Sequence, residues 1–234
     1  DVYVNDAFSA SHRNHASIVG VTGYLPSIGG FNLVDEVNNL NKFLNNSTKP
    51  KTAIIGGSKV STKLKLLDNL VEIFDTVIIG GAMANTFLSS QGYSLGQSII
   101  EEDLFVEANN ILVKAFNCNN KIILPVDLIC SKNIEDKTNI KNVDIKNVLN
   151  DQLAFDVGVK TLILIRSVLL KSKMILWNGP LGAFEYKPFD SGTNEITKII
   201  KHDFQKLDII TFAGGGDTIA AIKRTKTEKY FSYL

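Results

Sequence analysis

Two cysteines, five prolines, two methionines and one tryptophan are all that the 234 residues contain of those types. Cys118 and Cys130 stand in unrelated contexts without metal-ligand spacing, which fits a reducing, cytoplasmic setting with both thiols free. An excess of one charge is missing as well: 25 Lys and Arg face 24 Asp and Glu, for a net charge of +1. No basic stripe is interleaved with aromatics, which argues against nucleic acid as the main partner. No apolar run reaches the roughly 18 residues that a membrane helix needs, and no signal-peptide pattern is present. Neither G-x-x-x-x-G-K-[ST] nor G-x-G-x-x-G occurs, so a P-loop enzyme and a dinucleotide-binding dehydrogenase both lose their main fingerprint.

What the chain does have is glycine after short apolar runs. Thr52–Ile55 leads into Gly56-Gly57 and Thr76–Ile79 into Gly80-Gly81. Met174–Trp177 leads into Asn178-Gly179-Pro180-Leu181-Gly182, and Ile209–Phe212 into Gly214-Gly215-Gly216. Between the first two runs, Val60, Leu64, Leu67, Val71 and Phe74 step by four, three, four and three, one face of a helix. Further helices are predicted over Val34–Leu44, Leu104–Phe116 and Thr161–Leu170, and a strand over Lys121–Cys130. Asp1–Phe8 alternates as a strand, Tyr24–Gly30 reads as a break, and Ser131–Asn150 reads as a solvated surface excursion. Short strands alternating with helices predict an α/β fold, a Rossmann-like parallel sheet with helices on both faces. Four glycine turns then share its carboxyl edge, where open α/β sheets bind ligands, which makes a nucleotide or another phosphate-bearing molecule the leading expectation.

Three stretches carry candidate chemistry. In Ile209–Thr218 three glycines and Asp217 precede a helix; this is either an anion site with a carboxylate for its metal, or a tight turn with Asp217 as N-cap. Lys59 and Lys63, four apart after Gly56-Gly57-Ser58, are expected on one face near a helix N-terminus. Cations oppose the dipole there, so a bound polyanion or plain solvation must offset the cost. The turn Trp177–Glu185 is stiffened by Asn, Pro and Gly and ends on an acceptor suited to a ribose hydroxyl, with Trp177 read as core. His12-Arg13-Asn14-His15 is either an anion clamp or an inert surface segment.

Six segments, V-N-D-A-F-S-A-S-H-R-N-H-A-S (4–17), G-G-S-K-V-S-T-K (56–63), I-I-G-G-A-M-A-N-T-F (78–87), L-P-V-D (124–127), W-N-G-P-L-G-A-F-E (177–185) and G-G-G-D-T (214–218), resemble the phosphoglycerate kinase family, in that order. The resemblance spans residues 1 to 222. It implies a two-domain hinge enzyme, monomeric and cytoplasmic, that moves a phosphoryl group reversibly between 1,3-bisphosphoglycerate and ADP with Mg2+. Catalytic roles would fall to Lys59, Arg13 and Gly215, and substrate binding to Arg13, His12 and His15. Nucleotide would be bound by Gly56, Gly57, Ser58, Lys63, Gly80, Gly81, Asn178, Pro180, Glu185, Gly214, Gly215, Gly216, Asp217 and Thr218, with Asp217 at the metal.

The resemblance also divides the chain: 1–30 as the last strand and substrate loop of an N-terminal domain, 31–50 as interdomain helix and linker, and 51–234 as the nucleotide-binding domain. Both ends read as cut, so the expectation is a fragment inactive by itself. The alternatives are a non-catalytic ADP/ATP-binding domain or an unstable remnant. Two departures stand out: Thr62 where the family has Asp, and Val159 where a proline is expected.

Overall fold

The computed structural model describes every residue from 1 to 234 except His12 and Lys137, and the side chain of Lys206. Its residues form two units, Asp1–Ser47 and Thr48–Leu234.

In the first unit, strand β1 (Tyr3–Asn5) pairs in parallel with β2 (Ser27–Gly29), and helix α1 (Phe31–Asn45) follows directly. The predicted strand Asp1–Phe8 is therefore shorter, because a 3-10 turn takes over at Phe8–Ala10. The supposed break at Tyr24–Gly30 contains β2. Asp6 joins β1 to α1: its carboxylate accepts from the Leu33 N–H at 2.9 Å, satisfying one orphan donor at the start of the helix, and from the side-chain Nδ2 of Asn32 at 2.5 Å.

The second unit runs β3 (Lys51–Ile55), α2 (Leu64–Ile73), β4 (Thr76–Ile79), α3 (Ala82–Ser90), α4 (Phe105–Asn117), β5 (Lys121–Ile123), β6 (Asp127–Ser131), β7 (Lys141–Asp144), β8 (Leu153–Val157), α5 (Val159–Leu169), β9 (Met174–Asn178), α6 (Ser191–Asp203), β10 (Ile210–Gly214) and α7 (Gly216–Thr225). Five strands make one parallel sheet in the order β10-β9-β3-β4-β5, flanked by helices. The central strands read as unbroken apolar runs because both their faces are covered; every residue of β3 is buried. One face, with Ile54, Ile78, Ile175 and Trp177, packs on Ile165, Leu169, Ile196, Ile200 and Ile222 from α5, α6 and α7. Along α2, Leu67, Leu70 and Val71 are buried, and α2 and α3 both pack against α4.

A second sheet, β7-β6-β8, is antiparallel. It corrects two expectations. The single strand Lys121–Cys130 is two strands in different sheets, since Leu124-Pro125 interrupts it and proline cannot donate to a ladder. The excursion Ser131–Asn150 holds β7 and a 3-10 turn whose Ile145 is buried with Val148, Leu128, Cys130 and Leu95. The Asp127 carboxylate fastens this sheet to α5, accepting from the Thr161 N–H (2.8 Å) and hydroxyl (2.7 Å), the Lys160 N–H (3.0 Å) and the Asn142 amide (2.8 Å). Val159 opens α5, and its N–H donates to Asn142 Oδ1 at 2.9 Å, a bond that a proline there would lack. Both cysteines are free thiols, Cys118 exposed and Cys130 buried. No helix among the described residues is long and apolar enough to cross a membrane.

Candidate functional site

The strand order sets the turns after β10, β9, β3 and β4 side by side on one edge of the sheet. Each turn is bonded to the next. Asn178 Nδ2 donates to the Gly214 carbonyl (3.0 Å) and the Gly179 N–H to Thr218 Oγ1 (2.7 Å). The Gly56 N–H donates to the Asn178 carbonyl (2.9 Å), the Gly81 N–H to the Leu181 carbonyl (2.9 Å) and the Met83 N–H to the Gly57 carbonyl (3.0 Å). Gly56 is a contact glycine: a Cβ on it would lie 1.9 Å from the Pro180 carbonyl oxygen. At these turns glycine serves backbone packing, and the N–H groups of Gly56, Gly81 and Gly179 are occupied by protein acceptors.

The last turn differs. Gly215, at φ +95°, is the residue before α7, and Gly216 and Asp217 already lie in its first turn. Asp217 is therefore not the N-cap that the sequence suggested, because the left-handed glycine starts the helix two residues earlier. The leading N–H groups of α7 have no intrahelical acceptor, so its N-terminus with the exposed Asp217 keeps anion- and cation-binding capacity together.

The lysines are also rearranged. Residues 57–63 form a looped turn and α2 begins at Leu64, so Lys59 and Lys63 do not share a helical face. Gly57 at φ +126°, the Thr62 hydroxyl on the Lys59 carbonyl (2.9 Å) and the Lys63 N–H on the Val60 carbonyl (2.8 Å) hold the chain out of the helix. Thr62 thus bonds its own loop and is not aimed at Lys63. Lys63 Nζ donates to the Gly56 carbonyl (2.7 Å) and to Asn178 Oδ1 (2.7 Å) and its carbonyl (3.3 Å). Burial lowers its ammonium to about 8, against the opposing pull of Asp217. Lys59 is exposed.

The loop is anchored from outside by a residue that sequence patterns did not single out. The Glu101 carboxylate accepts from the Val60 N–H (2.5 Å), the Ser61 N–H (3.2 Å) and the Ser61 hydroxyl (2.5 Å), and its own N–H donates to the buried Thr86 hydroxyl of α3 (3.1 Å). Those donors, with Lys59 nearby, outweigh desolvation and hold its carboxyl below the usual range.

A cleft of about 300 Å³ opens above the edge. Of the predicted residues it is lined by Gly57, Ser58, Gly81, Pro180, Glu185 and Asp217. Gly56, Asn178 and Lys63 lie in the layer beneath, joined by the bonds above, and Thr218 is fully buried there. The rest of the lining is apolar and unforeseen: Ile99, Ile134, Leu153, Ala154 and Phe155, of which Ile134 lies in the stretch taken for a surface excursion. Flat apolar walls with a few convergent polar groups are the usual make-up of a small-molecule site. Arg13 and His15 lie exposed in the first unit, and His12 lies outside the described residues.

Behind Glu185, two further acids meet. Asp156 is 3% exposed; its carboxylate accepts from the Gly192 N–H (2.7 Å) and the Val157 N–H (2.8 Å), and burial together with neighbouring Asp190 raises it to about 7. Gly182 and Gly192 make its room, since a Cβ on either would stand 2.4 Å from Oδ1. Arg224, in the last turn of α7, donates to the Phe184 carbonyl (2.5 Å) and to Asp190 (3.3 Å) and lies 5.4 Å from the Phe184 ring centroid.

A profile of the family described as phosphoglycerate kinase matches residues 1–234. Among curated relatives, a phosphoglycerate kinase of Chelativorans sp. (strain BNC1) is 42% identical over the whole of this chain and 59% of its own length. One of Finegoldia magna is 44% identical over 96% of this chain and 56% of its own. The structure of phosphoglycerate kinase from Coxiella burnetii covers the whole chain with a TM-score of 0.87 at 37% identity, and 59% of that protein is covered in return. That of Pyrococcus horikoshii OT3 gives 0.82 at 30%, with 58% covered. The chain therefore spans a little under three-fifths of the length of the relatives it matches. With the motifs in order, the glycine-turned edge and its cleft, and a match along its full length, the chain belongs to the phosphoglycerate kinase family.

Proposed function

We propose that the chain carries the nucleotide half of a phosphoglycerate kinase, a phosphotransferase that moves a phosphoryl group between 1,3-bisphosphoglycerate and ADP, giving 3-phosphoglycerate and ATP. The observation that carries this reading is the cleft itself, which is lined by the carboxylates of Glu185 and Asp217 and has the half-buried ammonium of Lys63 in the layer of turns beneath. Glu185 accepts from the ribose hydroxyls, the apolar wall takes the base, and Asp217 with the N-terminus of α7 receives the phosphates. Lys63 neutralises charge on the phosphates and exposed Lys59 reaches the group in transit; Gly215 keeps the turn open. Positioning and charge neutralisation are what phosphoryl transfer asks of a protein.

Asp217 would hold Mg2+, which neutralises phosphate charge when bound. No cluster of three metal-binding side chains exists among the described residues, and one exposed carboxylate suits an ion that arrives on the nucleotide and keeps its waters. In the first unit, Arg13 and His15 belong to the 3-phosphoglycerate side, as does His12 by its sequence position. Residues 1–30, 31–50 and 51–234 are the corresponding substrate-loop, linker and nucleotide segments of a cytoplasmic monomer. Titration calorimetry with MgADP tests the reading: saturable binding that Asp217→Ala and Lys63→Met each weaken at least tenfold supports it, and an unchanged affinity in both variants sinks it. A coupled turnover assay on the same polypeptide separates a working kinase from a domain that only binds nucleotide.

A further inference from the structure

The nucleotide reading assigns Glu185 to the ribose but leaves open what holds that side chain in place, since Glu185 lies exposed at the rim of the cleft. Its peptide link to Phe184 supplies an answer. The carbonyl oxygen of Phe184 belongs to the rigid peptide plane that carries the N and Cα of Glu185, so whatever grips that oxygen fixes the point at which the Glu185 side chain leaves the turn. Arg224 grips it, with Nη2 at 2.5 Å, and its guanidinium lies 5.4 Å from the centroid of the buried Phe184 ring. The same nitrogen reaches Asp190 Oδ2 at 3.3 Å, and Asn194 Nδ2 donates to that oxygen at 2.9 Å, so the far end of the turn is held at the same point.

Arg224 stands in the last turn of α7, where a cation is favoured by the helix dipole, and Asp217 and Thr218 stand in the first turn. Ten residues of helix make a rod of roughly 15 Å between those two ends. Thr218 Oγ1 ties the front of the rod to the Gly179 N–H, and Arg224 ties its rear to Phe184, five residues further along the same turn. One helix is thereby bonded to the wall of the cleft at both ends.

We propose that Arg224 is the positioning residue for ribose recognition, coupling the placement of Glu185 to the helix that receives the phosphates; this rests on the nucleotide reading given above. The effect is specific in kind. Loss of Arg224 frees the Phe184–Glu185 peptide and removes the share of affinity that depends on ribose hydroxyls. The share that comes from phosphates and base remains.

The test measures binding of MgADP and of Mg-2′,3′-dideoxy-ADP by calorimetry to the 234-residue chain and to its Glu185→Gln, Arg224→Ala and Arg224→Lys variants. Wild type is expected to prefer ADP about tenfold, as a hydrogen bond to a charged acceptor allows. Glu185→Gln removes most of that preference. Arg224→Ala does the same while leaving the dideoxy nucleotide's affinity unchanged, and Arg224→Lys, which can still donate to the carbonyl, restores part of it. Arg224 is itself partly exposed, and an Asp190→Asn/Arg224→Ala double variant avoids a buried uncompensated acid should the single variant fold poorly. If Glu185→Gln loses the preference and Arg224→Ala keeps it, or if Arg224→Ala weakens both nucleotides equally, the inference is overturned. If Glu185→Gln keeps the preference, or wild type binds neither nucleotide, the ribose reading falls and takes the inference with it.

Discussion

Replacing Asp156 by Asn tests the energetics of the wall behind the cleft. The carboxyl is raised from its ordinary 3.8 to about 7, by burial first and by Asp190 second, although the N–H groups of Gly192 and Val157 favour the ionised form. An unfolded chain loses this proton near pH 4, whereas the folded one keeps it to about pH 7. Over that window the folded state binds the extra proton, so stability contributed by this group is present at low pH and is lost as pH rises from 4 to 7. Three pH units at about 1.4 kcal/mol each set the loss at about 4 kcal/mol. The acids held low, Asp75, Glu101, Asp127, Asp136, Asp151 and Asp203, titrate below their ordinary values, and Lys63 acts only above about pH 8, so neither set masks this window. Asn cannot ionise, but it accepts one N–H and turns an amide donor toward the other, at about 1–2 kcal/mol. Urea midpoints followed by Trp177, the single tryptophan, buried in β9, give the readout. Wild type and variant should be about equal near pH 5, with Asp156→Asn ahead by about 2 kcal/mol at pH 8. Parallel pH profiles for the two proteins would refute the reasoning.

Three further outcomes follow from the same geometry. With Lys63 lowered to about 8, phosphate oxygens arriving beside it raise it again, so MgADP binding at pH 8.5 should take up protons and at pH 6.5 should not; calorimetry in buffers of different ionisation enthalpy reads this, and Lys63→Met should abolish it. Glu101→Ala strips the acceptor from Val60 and Ser61, so their amides should lose hydrogen-exchange protection, with stability falling by about 1 kcal/mol; protection equal to wild type would count against the anchor. Gly56→Ala drives a Cβ into the Pro180 carbonyl and should cost about 3 kcal/mol, while Gly214→Ala, whose added carbon meets nothing within 4 Å, should cost under about 1 kcal/mol in thermal unfolding.

The parallel sheet was readable because its inner strands are short apolar runs that each stop at glycine, and the neighbouring turns follow from strand order alone. Lys63, Asp217 and the 177–185 turn were found by residue type beside those glycines. What escaped detection depends on contacts between segments far apart in the chain. Pro125 divides one apolar stretch between two sheets, and the pairing that makes residues 141–144 a strand, still largely at the surface, is made with β6. Glu101 reaches back about forty residues to Ser61, and Arg224 the same distance to Phe184. The helical pairing of Lys59 and Lys63 failed for a local reason, the loop bonds at Thr62 and Val60, which periodicity does not register.

The cleft takes its polar floor from one sheet and its apolar wall from the other, and this bears on how such a site diverges. Floor residues are interlocked: Gly56 abuts Pro180, Asn178 joins Lys63 to Gly214, and Thr218 holds Gly179, so a change at one turn forces a change at its neighbour. Leu153, on a strand of the small antiparallel sheet, and Ile134, on the segment leading to β7, stand outside that lattice of bonds, whereas the Phe155 carbonyl is tied to the Ala183 N–H. Drift can therefore reshape the surface that meets a base one residue at a time, while the grip on phosphate is inherited whole or not at all.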